Sequence, residues 1–505
     1  MLRQSLFLTL ILVSHVMGEQ WQPIPLLTQD MRDAGVDLGG EGCQVILTID
    51  IAPGNHDLML MGTNTGGIFR SENAGQLWTP CNLGYNPRGS GDFEFDPMNE
   101  NRVLGIGDAG NDYSHHGIYL STDAGKSWKA VLNLKYEYNN PRNQLAWDVT
   151  SYDEELGYCS TVYWAFAGGE GGDPAIYKST DGGETWNIIY NEFGNGTLDI
   201  DVNGELYYAG AEGLFVSVSG GDHFDMLLDG HFTGVDVLPG YPERIYACTE
   251  TEIHISMNNG LTFTSENPKT FSDTQRIYRI TVSPANPDRM LLSYQYKDGW
   301  WQFKKYRSED GGTTWKQSEN YDNSLSFMPR AERDGPFEWH PADENIVFSV
   351  GGDVIYKSID GGEHWFWFNN GNNGVMGGSS FNFNPHNPDI VGFGFQDKNG
   401  AVTTDGGYTW TYRQVSGKSW GHCYGACAAD ENVYFGGLAE GWGGEARLTY
   451  TLDGGKRWTR SDLVMNGKRV SYQDPANENI LFCYEMRSED KGQTWTKMTG
   501  CEGVF

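Results

Sequence analysis

Apolar and polar positions alternate along this chain in short runs, and the runs come in a fixed order. The segment Phe93–Gly107 (FEFDPMNENRVLGIG) predicts an alternating strand, a turn on Asp96-Pro97 and a second strand. The same layout returns at Ile280–Ser293, Phe337–Ser349, Phe381–Gly392 and Val470–Cys483. A third strand follows each of these, as in Gly117–Leu120, and a fourth begins just after an aromatic residue. Four short antiparallel strands per repeat are the make-up of a propeller blade. β-Branched and aromatic residues at alternate positions supply the faces on which neighbouring blades pack.

The third and fourth strands are joined by a turn whose type copy is Ser179-Thr180-Asp181-Gly182-Gly183-Glu184-Thr185-Trp186. Asp181 can bond nearby backbone N–H groups, the glycines supply positive φ, and Trp186 re-enters the sheet with a large apolar face. Strong copies span Ser121–Trp128, Ser308–Trp315, Ser358–Trp365, Thr403–Trp410, Thr451–Trp458 and Ser488–Trp495. Weaker copies span Ser71–Trp78, Ser217–Phe224 and Ser256–Phe263, with Asn73, Ser219 and Asn258 in place of Asp. Ten copies, with no linker or charge block between them, predict one repeat architecture.

The pattern S/T-x-D-x-G-x-x-W/F resembles the Asp-box, or BNR, repeat of sialidases, some xyloglucanases and sortilin-type receptors. The resemblance implies an all-β propeller of four-stranded antiparallel blades with Asp-box turns at its outer rim. Counting one blade per turn gives a single ten-bladed ring over residues 41–505, preceded by a lead-in over 19–40. The alternative is a seven-bladed ring whose extra boxes lie on inserted hairpins or a second partial ring. Met61–Trp78 is similar to the first blade of propeller-type xyloglucanases. There the resemblance implies a catalytic Asp in a T-D-x-G-G stretch, and this chain has Asn64. An amide is not a general acid or base at that position. Phe69-Arg70-Ser71-Glu72 does not reproduce the sialidase F/Y-R-I-P start.

Composition narrows the class. Residues 1–18 read as a secretory signal peptide, with Arg3 ahead of the apolar run Leu6–Val13. No later run is long enough to span a bilayer, so the expectation is a secreted, extracellular protein, read as a monomer. The formal net charge of −32 argues against nucleic acid, which requires basic surface. No cofactor or metal site is expected, although carboxylate clusters leave calcium open as a loosely held ion. In an exported chain some of the eight cysteines are expected to pair, Cys43 with Cys501 or Cys483 with Cys501. Asn195-Gly196-Thr197 is an N-glycosylation sequon.

Loops that depart from the repeat are where chemistry is sought. Gly107–Gly117 carries His115 and His116, and Lys135–Trp147 carries Tyr138 and Arg142. Those types suit β-elimination at a uronic acid: His as base, Arg142 neutralising the carboxylate and Tyr138 as acid. Trp300 and Trp301, expected on a loop, would stack on sugar rings, and Arg330 would bind an anionic group. The reading is a carbohydrate-active protein, a lyase or hydrolase of an extracellular polysaccharide. Two other readings stand beside it: a non-catalytic acidic binding or matrix protein, and a sortilin-like peptide-binding propeller.

Overall fold

The computed structural model describes residues 28–36, 45–108, 115–135, 145–169, 171–193, 195–268, 275–296, 299–320, 337–350, 352, 355–368, 382–394, 400–409, 411–412, 422–439, 445–465 and 471–500. The described residues are almost all strand and turn. One short helix, Gln29–Asp33, is capped by Thr28 and packs Met31 beside Leu83. It falls within the lead-in read from the sequence.

The strands form ten sheets with four consecutive antiparallel strands each. We number them 1 to 10 in chain order. Sheet 1 holds Ile46–Ile51, Met59–Thr63, Ile68–Ser71 and Thr79–Pro80. Sheet 7 holds Phe337–Trp339, Val347–Ser349, Tyr356–Ser358 and His364–Trp367, with Glu319–Asn320 added in parallel at its outer edge. Among the described residues the one further sheet is the small pair Tyr152–Asp153 and Tyr158–Cys159.

Each box turn joins the third and fourth strands of its sheet, and the described turns share one hydrogen-bond plan. Ser179 Oγ donates to Asp181 Oδ1 (2.8 Å) and accepts the Gly183 N–H (2.8 Å). Asp181 Oδ1 accepts the Thr185 N–H (2.9 Å), and Thr185 Oγ1 donates to Asp181 Oδ2 (2.6 Å). The Trp186 indole N–H closes the turn on Gly183 O at 3.0 Å. Two left-handed residues make the bend. The first is Ala124, Asn259 or Lys491 in some copies, where the hydrogen-bonded turn holds a side-chain-bearing residue in a region that strains it. The second is glycine in every copy.

Packing explains the second glycine. A Cβ on Gly125 would stand 2.8 Å from Leu60 of sheet 1, and one on Gly183 would stand 2.9 Å from Leu104 of sheet 2. One on Gly362 would stand 2.6 Å from Leu291 of sheet 6. These boxes are therefore pressed onto an aliphatic side chain of the preceding sheet. Basic side chains add a clamp: Arg102 Nε donates to Gly182 O (2.7 Å) and Lys178 Nζ to Gly220 O (2.9 Å).

This stacking closes a circuit after seven sheets. Ile46, Ile49, Met61 and Trp78 of sheet 1 share a core with Phe348, Val350 and Ile355 of sheet 7 or its flank. The Ile46 N–H donates to Gly352 O at 3.0 Å. Neither sheet borrows a strand from the other. The single ten-bladed ring is thus corrected. The face of sheet 7 that an eighth sheet would need is filled by sheet 1. Sheets 8, 9 and 10 instead pack on one another. Their first strands meet directly: Asn384 Nδ2 reaches Ala428 O (2.9 Å) and Gln473 Oε1 (2.8 Å). Asn382 Nδ2 donates to Ser471 O. These are full four-stranded sheets, so the extra boxes do not sit on inserted hairpins.

Cys81, Cys159 and Cys427 are buried free thiols, and Cys248 and Cys483 are buried as well. Cys483 packs among Cys427, Phe435 and Leu481, with its Sγ 3.3 Å from Ser471 Oγ. Burial pushes its thiol up to about 12, which keeps it unreactive. Cys81, Cys159 and Cys248 each lie in a different core cluster, too dispersed to pair. Cys43 and Cys501 lie outside the described residues, as does the segment read as a signal peptide.

Candidate functional site

The first strand of each of the seven ring sheets faces a common axis. The turns after these strands open at one end of the ring, and those between second and third strands at the other. The axis is hollow, with a cavity of about 420 Å³. One register position of the first strand meets it repeatedly: Asp50, Glu94, Ala146, Asp199, Asp236, Thr281 and Glu338. Five carboxyls therefore line one channel, with Arg279 in the same wall. Pro53, Pro97, Pro239, Pro284 and Pro341 form a collar where the strands turn back.

The aspartates bridge sheets. An innermost strand is an edge, with N–H groups left over from its own sheet. Asp50 Oδ2 accepts the Phe95 N–H of sheet 2 (3.0 Å), and Asp199 Oδ2 accepts the Val237 N–H of sheet 5 (2.8 Å). Asp236 Oδ2 accepts the Val282 N–H of sheet 6 (2.8 Å). Desolvation in the channel wall pushes Asp50 and Asp236 up to about 7, against these hydrogen bonds. It also raises Asp199, Glu94 and Glu338 well above the usual carboxylate range, with further raising from neighbouring carboxylates. Burial thus favours the protonated, neutral form of these carboxyls. Among the described residues no group of three His, Cys, Asp or Glu side chains is placed to hold a metal ion.

Asn64 lies at the other end of the ring, in the turn Thr63–Gly67. Its Oδ1 accepts the Val45 N–H (2.8 Å), and its own N–H donates to Val45 O (2.9 Å). Thr63 Oγ1 accepts the Gly66 N–H (2.8 Å), and Asn82 Oδ1 accepts the Ile68 N–H (2.7 Å). The turn is rigid, and Asn64 is half-buried at its apex.

His115 is exposed and His116 is 2% exposed, so only the first is open to a ligand. Tyr138, Arg142 and Arg330 lie outside the described residues. Trp300 and Trp301 are not on a loop. They lie in the third strand of sheet 6 (Gly299–Ser308), between Gly299, paired with Tyr296, and Phe303, paired with Gln295. Asn195 is exposed immediately before the first strand of sheet 4, at the Asn64 end of the ring. The channel carboxyls were missed in the sequence. Their signal is an acidic residue at one position of repeated bodies such as IDIAP, FEFDP, VDVLP and FEWHP.

No family model matches the chain. A xyloglucanase from a Paenibacillus species is 26% identical over 285 residues, covering 51% of this chain and 24% of the relative. An oligoxyloglucan-reducing end-specific xyloglucanase from Emericella nidulans is 25% identical over 324 residues, covering 62% of this chain and 31% of the relative. The chain thus spans about a quarter to a third of these curated relatives. Among solved structures, the GH74 enzyme of Niastella koreensis superposes with a TM-score of 0.55 at 18% identity, covering 92% of this chain and 79% of that one. An ancestral GH74 enzyme superposes with a TM-score of 0.61 at 15% identity, covering 90% and 68%. The chain shares the propeller fold of these proteins. Among the described residues no helix is long and apolar enough to cross a membrane.

Proposed function

We propose that this chain is a carbohydrate-active protein directed at an extracellular polysaccharide of the xyloglucan type. The ring end that carries the Thr63–Gly67 turn would hold the glycan. The observation that carries this reading is that turn. It holds, in a hydrogen-bonded frame, the position at which the resemblance of Met61–Trp78 to propeller-type xyloglucanases implies a catalytic Asp, and relatives of this chain are named for that substrate. Asn64 offers an amide there, with no proton to exchange near neutral pH. Recognition of the glycan is therefore the primary property, and any hydrolysis draws on carboxylates other than residue 64. The elimination chemistry expected of His115, His116, Tyr138 and Arg142 draws less support, because a buried His116 does not reach a sugar.

The test is direct. Native gel migration through immobilised xyloglucan, beside a uronic-acid polysaccharide and mannan, reads binding. Release of reducing ends reads hydrolysis. Retardation by xyloglucan alone is the expected result. Migration unchanged by all three glycans, with no product, would remove the reading.

A further inference from the structure

Six of the seven joints in the ring link sheets that follow one another in the chain. The seventh, between sheets 1 and 7, has no such link and no shared strand. At the collar end of this joint two imidazoles meet across it. His56, in the turn after Ile46–Ile51, and His340, in the turn after Phe337–Trp339, pack edge to face with centroids 4.3 Å apart. Both are half-buried.

Their hydrogen bonds fix their protonation. His56 Nε2 donates to Pro53 O at 3.2 Å. His340 Nδ1 accepts the Ala342 N–H at 3.1 Å, so it carries no proton of its own. Protonating His340 would set two N–H groups against each other and place a cation beside the His56 ring. We propose that this pair makes ring closure acid-sensitive: protonation of His340 against the His56 ring loosens the joint between sheets 1 and 7 and opens the axial channel along one side.

The surrounding charges are mixed. Lys357 of sheet 7 places its Nζ 4.5 Å over the Phe368 ring in the same joint, adding a cation. Asp343 shares the turn of His340, but its Oδ1 already accepts from the Asn345 backbone and side chain. Glu344 is engaged by Asn286 and approached by Arg289 of sheet 6. Asp57 is exposed, and Glu100 of sheet 2 sits against Gly54. Burial, the His56 ring and Lys357 lower the proton affinity of His340, and Asp343 only partly offsets them. The folded state therefore binds this proton less readily than the unfolded chain, and the joint weakens as pH falls below the ordinary histidine range.

Hydrogen exchange of the full chain, corrected for intrinsic rates, tests this at about pH 7.5 and about pH 5. Protection at Ile46–Ile51 and Val347–Ser349 should fall in acid. The joint between sheets 4 and 5 (Gly196–Ile200 and Phe232–Leu238) should hold. His56→Phe, which keeps a ring contact but removes the imidazole facing His340, should reduce the fall, and His56→Phe with His340→Gln should abolish it. An equal fall at both joints overturns the proposal, as does an undiminished fall in either variant. If the double variant fails to fold, the single variant decides.

Discussion

Gly75 of sheet 1 packs against Phe368, at the end of sheet 7: a Cβ on that glycine would stand 3.0 Å from the phenyl ring. This is the relation that Gly125 has with Leu60 and Gly183 with Leu104. The first sheet therefore treats the seventh as its predecessor, through the same contact that joins sheets adjacent in the chain. Ring size is set by where this contact recurs.

Gly75→Ala should accordingly cost more than its backbone alone requires. Gly75 and Gly35 are both left-handed (φ 78° and 74°), but nothing lies within 4 Å of a Cβ on Gly35. Each substitution costs about 1–2 kcal/mol of backbone strain. The expected outcome is a larger loss for Gly75→Ala by denaturant titration, with added exchange at Ile46–Ile51. Equal losses would show that the contact carries no energy.

The aspartate staples give a second prediction. Asp236→Ala strands the Val282 N–H, at a cost of about 1–3 kcal/mol. Asp236→Asn keeps the acceptor and should keep that amide protected. Both effects are read by exchange at Val282.

Glu338 has the opposite sign. It is raised well above the ordinary range, first by burial and then by Asp50, Asp236 and Asp92. A carboxyl raised in the folded state costs nothing below its unfolded pKa of about 4, and the cost grows as pH climbs towards the folded value. Glu338→Gln should therefore raise thermal stability at pH 8 and leave it unchanged at about pH 3.5. A Tm gain independent of pH would contradict this.

Sheet 4 carries an incomplete box. Ser219 Oγ accepts the His223 N–H at 3.0 Å, where other copies use a carboxylate. In those copies Asp181 is held low by hydrogen bonds from Thr185 and Ser179 that outweigh its desolvation. Ser219→Asp should stabilise sheet 4 by about 0.5–1.5 kcal/mol. A depressed carboxylate contributes only above its unfolded pKa, so the gain should vanish as pH falls through the folded value. Exchange in Leu206–Gly210 at neutral and acid pH reads both.

Asn64→Asp places a carboxylate on the rigid Thr63–Gly67 turn. One oxygen can still accept the Val45 N–H, which leaves the other free to exchange a proton. Reducing-end release from xyloglucan should rise above the parent protein while gel retardation is unchanged. No change in release would separate this turn from bond cleavage.

Much of the architecture was legible in the sequence because the box is a local device. Ser179, Asp181, Gly183 and Trp186 bond within a few residues of one another, so their spacing alone specifies the turn. The closure at seven was not legible, because it depends on Trp78 and Met61 meeting Phe348 and Ile355, far away in the chain. The channel carboxyls were half visible: alignment of the repeat bodies shows Asp50, Glu94, Asp199, Asp236 and Glu338 in one column, but only closure turns a column into a ring. Trp300 and Trp301 read as loop because a register shift resembles a break in strand pattern.

The side chain of Asn384 gathers the first strands of sheets 8 to 10. Where seven first strands stand apart around carboxyls, three are drawn onto a single amide. One repeated unit thus surrounds a channel or converges on one side chain, according to how many copies gather about an axis.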